Sequence, residues 1–353
     1  MQVVPAFDDA LAGLMTTLRQ APHVASLLTA STEGLEWFAE RTGLSWGVTP
    51  RPLFWYRPAD LHVVEFVLFH AFVLVLFFMS RNFLSRYMSN PKSFHQIIQL
   101  DAFDRMVGAI LFACWMSQVV LKAIRPNALI QMWWLIMPCH LITLAWCHIL
   151  LNGDLHAELP SLTDTDGNAK SMTTQLAAKR SLLVRMKASD QCRWIATLIA
   201  TYHWGPAGAA AIPDWTDHQY RIEGFIFVLH HGLLVLLPFY FAAKFGFLSA
   251  SLDFFLHSTW IATWVNVGPY TVASYLTGLN VNYHLCPPPK LLKMGFFQSI
   301  YYRFYVVLAL IVLSLLCRFG ISFVGWFLIR LPVQWVWRKA RRSERIEGKR
   351  KTA

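Results

Sequence analysis

"LIMPCHLITLAWCHIL", residues Leu135–Leu150, sits inside an apolar run that extends from about Ala128 to Leu151. A run of that length and character is a candidate membrane span, since a helix needs roughly 20 apolar residues to cross the hydrocarbon core. In its middle a proline, a thiol and an imidazole follow one another: Pro138, Cys139 and His140. A second Cys-His pair, Cys147-His148, follows about two helical turns later. Leucines would serve a plain span better. Polar and nucleophilic groups in a bilayer are costly and mark function by default.

The whole chain has the same character. Of its 353 residues 56% are hydrophobic and only 14% are charged, against roughly 25% charged in an ordinary soluble domain. Fifteen Trp and 26 Phe suit aromatic belts at the membrane interfaces. The net charge of +11 does not point to nucleic acid. Eight of the basic residues lie in the last 16 positions, just beyond an apolar run, which is a juxtamembrane polybasic arrangement. The six cysteines show no CxxC and no zinc-like spacing, so they are read as free thiols. Residues 1–61 lack a basic segment followed by a short apolar core, so the apolar stretch from about Leu61 is read as a span and not a leader.

These patterns predict an all-α, polytopic membrane bundle of about seven transmembrane helices. The expected spans are His62–Ser80, Arg105–Lys122, Ala128–Leu151, Arg193–Ala211, Ile222–Ala243, Leu248–Gly268 and Tyr302–Ile329. Gly205-Pro206 and Gly208 are expected to interrupt the fourth, and Gly268-Pro269 to break the sixth apolar run. Lys and Arg concentrate in the loops 81–104 and 152–192 and in the tail. That bias places the N-terminus outside, or lumenal, and the C-terminus in the cytosol. Three regions follow: an amphipathic segment 1–61 that lies on the membrane or caps the bundle, the bundle 62–331 with a flexible cytosolic loop 152–192, and a basic tail 332–353.

Inside the spans lie His203, Glu223, His230, His231, Asp253 and His257, besides the pairs of the third span. Beyond the sixth, "LNVNYHLCP" carries Asn280, Asn282, His284 and Cys286. A metal centre is not expected. No HxxxH occurs, and the HxxHH box fails because residue 227 is Phe. No cofactor is expected either.

Nucleophilic catalysis requires a thiol, a base within reach and a group that orients the base. Cys139 and His140 point about 100° apart on one helix, so the base must come from another helix. Cys139 lies 11 residues beyond Ala128, about 16 Å at 1.5 Å per residue. His231 lies 9 residues beyond Ile222, about 13 Å on the same count. The two share a depth. Glu223, eight residues before His231 on the same face, is a candidate orienter or a headgroup anchor. Pro138 lacks an N–H and can kink the helix beside the thiol. Read from residues alone, Pro138 is equally a tolerated transmembrane proline.

"MPCHLITL", "HHGLLVLLPFY" and "LNVNYHLCP" together resemble the transmembrane protein 164 family in order and spacing. The resemblance covers roughly residues 105–330. Family members carry Asn-Pro-Cys-His where this chain has Met137 in place of the Asn. His231 with Pro238, Leu285-Cys286-Pro287, Pro213 and Glu223 match other family positions. The resemblance implies a cysteine-dependent phospholipid acyltransferase, with Cys139 as nucleophile and His231 as base. It implies transfer of a polyunsaturated acyl chain from phosphatidylcholine to a lyso ether-phosphatidylethanolamine through a thioester. The implied partners are phospholipid and lysophospholipid substrates in the bilayer, with no nucleic acid. Asn280 and Asn282 are candidate oxyanion donors, with polar packing at a helix end as the alternative. His140 is a possible supporting residue; with Cys147, His148 and His203 it is read chiefly as interhelical polar glue.

Two rivals share these features. A hydrolase would discharge the same thioester to water, and a seven-helix receptor or transporter would use the polar lining without chemistry. Lys349 and Lys351, the fifth and third residues counted back from the C-terminus, resemble a dilysine retrieval signal, so residence in the endoplasmic reticulum is expected. Electrostatic anchoring is the alternative for the same lysines.

Overall fold

A computed structural model describes residues 3–47, 49–81, 100–152, 188–213, 215, 218–245, 252–288, 290–291 and 295–332. No strand occurs among the described residues. The chain opens with α1 (Val3–Gln20), α2 (Pro22–Arg41) and the short α3 (Arg51–Phe54), then α4 (Ala59–Ser80) and α5 (Ala102–Ala123). Next come α6 (Ala128–Met132), α7 (Pro138–Asn152), α8 (Ala188–Thr201), α9 (Trp204–Ala211) and α10 (Arg221–Phe245). The remainder is α11 (Leu252–Val267), α12 (Pro269–Thr277), α13 (Gly295–Gln298) and α14 (Tyr302–Phe323). The expected loop 152–192 falls outside the described residues over 153–187, and so does all but the first residue of the expected tail 332–353.

Among the described residues four helices are long and apolar enough to cross a membrane: Arg51–Ser80, Ala102–Ala123, Arg221–Lys244 and Tyr302–Ile321. Ala128–Ile136 and Pro138–Asn152 make a fifth if they are taken as one span, bent by 65° between its halves. Leu74, Val75 and Phe78 on α4, and Leu308, Val312 and Leu316 on α14, stand exposed. Apolar faces of that extent suit lipid better than water. The fourth and sixth expected spans are instead broken helices. α8 and α11 have 14 and 16 residues, so they reach about 21 and 24 Å at 1.5 Å per residue, short of a hydrocarbon core of about 30 Å.

The breaks have local causes. α11 ends at Val267 and α12 begins at Pro269, with Gly268 between them, as the Gly-Pro pair predicts. The fourth run breaks earlier than expected, at Tyr202-His203, and not at Gly205-Pro206. Pro206 is the third residue of α9, a first-turn position where a missing N–H costs no helical hydrogen bond. α10, by contrast, runs straight through Pro238.

α5, α7, α8 and α10 share one core, in which Leu111, Trp146, Ile149, Leu150, Leu234 and Phe241 are buried. α5 and α7 approach closely at Gly108, where a Cβ would stand 2.7 Å from that of Leu150. One end of this core is tied by charge. Asp101 and Asp104 form a capping box at the start of α5. Lys244 of α10 donates to Asp101 at 2.7 Å and to Asp104 at 2.5 Å.

The N-terminal segment caps the bundle. Met15 and Leu28 pack with Leu61, Val64 and Tyr301, Tyr305 donates to Asp8 at 2.8 Å, and Arg19 pairs with Asp60 at 2.5 Å. The turn after α2 meets the turn after α12 with no room for side chains. A Cβ on Gly43 would collide with the Tyr275 carbonyl, and one on Gly278 with the Gly43 carbonyl.

A candidate intramembrane cysteine site

The site is built on a break. α6 runs on into a single 3-10 turn, Trp133–Ile136. Met137 is then extended, with φ −54° and ψ 147°. A residue before proline is driven out of the helical region by the proline ring, and a proline suits the first position of a helix, where its N–H would be unpaired anyway. Pro138 therefore starts a new helix. Cys139 becomes the second residue of α7; Pro138 before it has no N–H, and the His140 N–H after it already donates to the Met137 carbonyl at 2.9 Å. The thiol is half-buried and packs against the shared core.

Thr143, one turn on, links this turn to α10. Its hydroxyl donates to the Cys139 carbonyl at 2.7 Å and also bonds Nε2 of His230. A hydroxyl has one proton, and here it goes to the carbonyl. His230 therefore donates from Nε2, and in its neutral ring Nδ1 carries the lone pair. The His140 and His230 rings stack at 5.6 Å with 20° between planes. His231 meets His230 edge to face at 5.0 Å.

His231 is oriented by backbone. Its Nδ1 lies 3.0 Å from the Phe227 carbonyl, and a carbonyl only accepts, so Nδ1 carries the proton. Nε2 keeps its lone pair and has no hydrogen-bond partner among the described residues. The Phe227 ring stacks on the imidazole at 4.0 Å. Glu223 serves elsewhere. It is buried in an ion pair with Arg125 at 2.5 Å and accepts from the Gln219 N–H at 2.6 Å. The orienter of His231 is the Phe227 carbonyl, not the carboxylate of Glu223.

The loop after α12 backs the break. The Asn282 N–H points at the Met137 sulfur, 3.2 Å away, so Asn282 stands two residues from Cys139 through that contact. Asn280 is occupied in shaping the loop. Its amide donates to the Cys286 carbonyl at 2.8 Å, and its carbonyl accepts from Leu285 at 2.8 Å. That is the polar-packing alternative. Asn282 and Tyr283 both have positive φ, 49° and 59°. Such backbone is uncommon for an aromatic residue, and the Tyr283 carbonyl is held by the Tyr302 hydroxyl at 2.7 Å.

The remaining sequence candidates lie apart. Cys147 points its thiol at the Gly108 carbonyl of α5, 3.7 Å away. His148 is exposed and bonds Asn152. His203 is buried against Phe239, and His257 packs between Trp194 and Trp260. No three His, Cys, Asp or Glu side chains converge as metal ligands among the described residues.

An apolar groove of about 660 Å³ runs beside both helix breaks. Ile136 and Leu141 line it on either side of Cys139, and Gly268, Pro269 and Tyr270 line it at the α11–α12 break. No family model, no curated protein and no solved structure matches this chain. Sequence reasoning missed Thr143 and the Phe227 carbonyl. Thr143 had one signal, its place four residues after Cys139 on the same helical face.

Proposed function

We propose that this protein is an intramembrane cysteine acyltransferase acting on phospholipids. One observation carries the reading. A half-buried thiol starts a helix inside an apolar bundle, linked through Thr143 to the two-histidine turn of α10, with an apolar groove lined by its near neighbours in sequence, Ile136 and Leu141. A thiol placed for packing alone requires neither the break nor the polar bridge.

The mechanism has two half-reactions. Nε2 of His231 takes the Cys139 thiol proton, and the thiolate attacks an ester carbonyl of the donor lipid. The developing oxyanion faces the Cys139 N–H in the first turn of α7. The ester C–O bond breaks, the lysolipid oxygen leaves with the proton from His231, and an acyl thioester stays on Cys139. An incoming lysolipid hydroxyl gives its proton to His231 and attacks the thioester. The C–S bond breaks, and the proton returns to sulfur. The groove holds the acyl chain throughout. His230 and His140 hold the turn and its polarity.

The resemblance to the transmembrane protein 164 family names the substrates within this reading: phosphatidylcholine as donor and a lyso ether-phosphatidylethanolamine as acceptor. The topology that goes with it has seven membrane segments, counting α8–α9 and α11–α12 as broken ones. Backbone N–H groups at these breaks keep local partners, such as Tyr202 to the Ile199 carbonyl at 2.9 Å and Gly268 to the Trp264 carbonyl at 2.8 Å, as irregular backbone at membrane depth requires. The N-terminus is lumenal and the basic C-terminal segment cytosolic, in the endoplasmic-reticulum membrane. Purified protein in nanodiscs with phosphatidylcholine labelled in its acyl chain tests the activity. Label moving to added lysolipid is the expected result. Label released as fatty acid with or without acceptor marks a hydrolase, and unchanged label rejects catalysis.

A further inference from the structure

At the bundle end capped by the N-terminal segment lies a second polar cluster, set off from the cysteine site. Arg57 forms an ion pair with Glu65 of α4, and Arg303 of α14 approaches the same carboxylate oxygen at 3.5 Å. All three are buried. Two guanidiniums face one carboxylate, so the cluster carries one surplus positive charge. Burying an unbalanced charge is costly unless an opposite charge completes it.

The hydrogen bonds say what kind of group is called for. Arg57 donates from Nη2 to Nδ1 of His62 at 2.7 Å, so the His62 proton sits on Nε2. Arg303 donates to the Thr271 hydroxyl at 3.3 Å. That hydroxyl passes its own proton to Nδ1 of His284 at 3.0 Å, so His284 also carries its proton on Nε2. Four buried donors then have no acceptor among the described residues: Arg57 Nε, His62 Nε2, His284 Nε2 and the Tyr275 hydroxyl. Against them stands one unpaired acceptor, Glu65 Oε1. Surplus donors with surplus positive charge select an anion with several acceptor oxygens.

The cluster is joined to the cysteine by one short loop. The His284 carbonyl accepts from Arg57 at 3.1 Å, and Asn282, two residues earlier, touches Met137 beside Pro138-Cys139. We infer that Arg57, Arg303, His62 and His284 bind the phosphate of a membrane phospholipid whose acyl ester reaches Cys139. This names a ligand for the proposed acyltransferase and rests on that reading, but its test reads binding alone. With the headgroup held beside the loop, the ester would lie toward the break and the acyl chain in the groove.

The experiment uses the full chain as Cys139→Ala, so that no chemistry intervenes, in a phosphate-free maltoside detergent. The thermal midpoint is followed against dioleoyl phosphatidylcholine, against a galactosyl diacylglycerol with the same chains, and against inorganic phosphate. Ligand bound to the native state raises the midpoint. Phosphatidylcholine is expected to raise it by several degrees more than the galactolipid. That excess should persist in Arg303→Lys and vanish in Arg303→Gln, which leaves Arg57 and Glu65 balanced and is expected to fold. Equal shifts from the two lipids, an excess that survives Arg303→Gln, or a full shift from inorganic phosphate alone would overturn the assignment. Loss of acyl transfer in the active protein, with the excess intact, would reject the acyltransferase and not this site.

Discussion

The Thr143 hydroxyl and the His230 imidazole meet across two helices, and through that bond the first turn of α7 is referenced to α10. Thr143→Val keeps the volume and removes the hydroxyl, leaving the buried His230 N–H unpaired. A loss of about 1–3 kcal/mol in stability is expected, seen as a lower midpoint in detergent. Thioester formation should slow at the same time. An unchanged midpoint would show that the bridge does not form.

Cys139→Ala should abolish acyl transfer with little change in fold, because the side chain is half-buried and small. Cys139→Ser should be nearly inactive, since a hydroxyl is the weaker nucleophile near neutral pH. Wild-type protein quenched during turnover should carry one acyl mass on Cys139, released by neutral hydroxylamine. Retention of half the activity in Cys139→Ala removes the nucleophile assignment, and an adduct on Cys147 relocates it.

On the proposed mechanism the two histidines of α10 have different tasks and should separate in kinetics. His231→Ala removes the lone pair at Nε2, so acylation should slow by about 10²–10⁴-fold, the usual contribution of a general base. His230→Ala removes a positioning contact and should cost less. Single-turnover acylation rates compare them directly. A larger loss for His230→Ala would reverse the two roles.

Arg125 and Glu223 form a buried pair far apart in sequence. Removing one partner leaves an uncompensated charge, and Arg125→Met should destabilise the protein by about 3–5 kcal/mol. Arg125→Met combined with Glu223→Leu should recover much of that loss. If the single substitution is neutral while activity falls, the pair holds substrate and not fold.

Gly278 has φ 70° and lies against the Gly43 backbone. Gly278→Ala should cost about 1–2 kcal/mol for left-handed backbone, with about 1–3 kcal/mol more for overpacking. Limited proteolysis should then cut more readily in the N-terminal segment as its docking weakens. Protection equal to wild type would show that the two turns can separate without loss.

What the sequence by itself determined is local. Apolar runs longer than a soluble core allows are visible in α4, α5, α10 and α14, and the all-helical class follows from them. Pro138 and Gly268-Pro269 announce breaks, because a proline restrains its own φ and the residue before it whatever the surroundings. Cys139, His140, His230 and His231 stand out as groups that lipid disfavours. Whether α8 and α11 span could not be read from hydropathy, which sums apolarity and is blind to where a helix stops. The tertiary structure decided pairings. Glu223 went to Arg125, 98 residues away, and Phe227 took the place expected of Glu223 at His231. Shared helical face cannot tell an acid that orients a histidine from one that meets an arginine on a neighbouring helix. The cluster of Arg57, Glu65 and Arg303 was equally hidden. Arg57 and Glu65 are eight residues apart, but Arg303 lies far along the chain, all in segments that read as interfacial or as span ends, and only packing brings the three together.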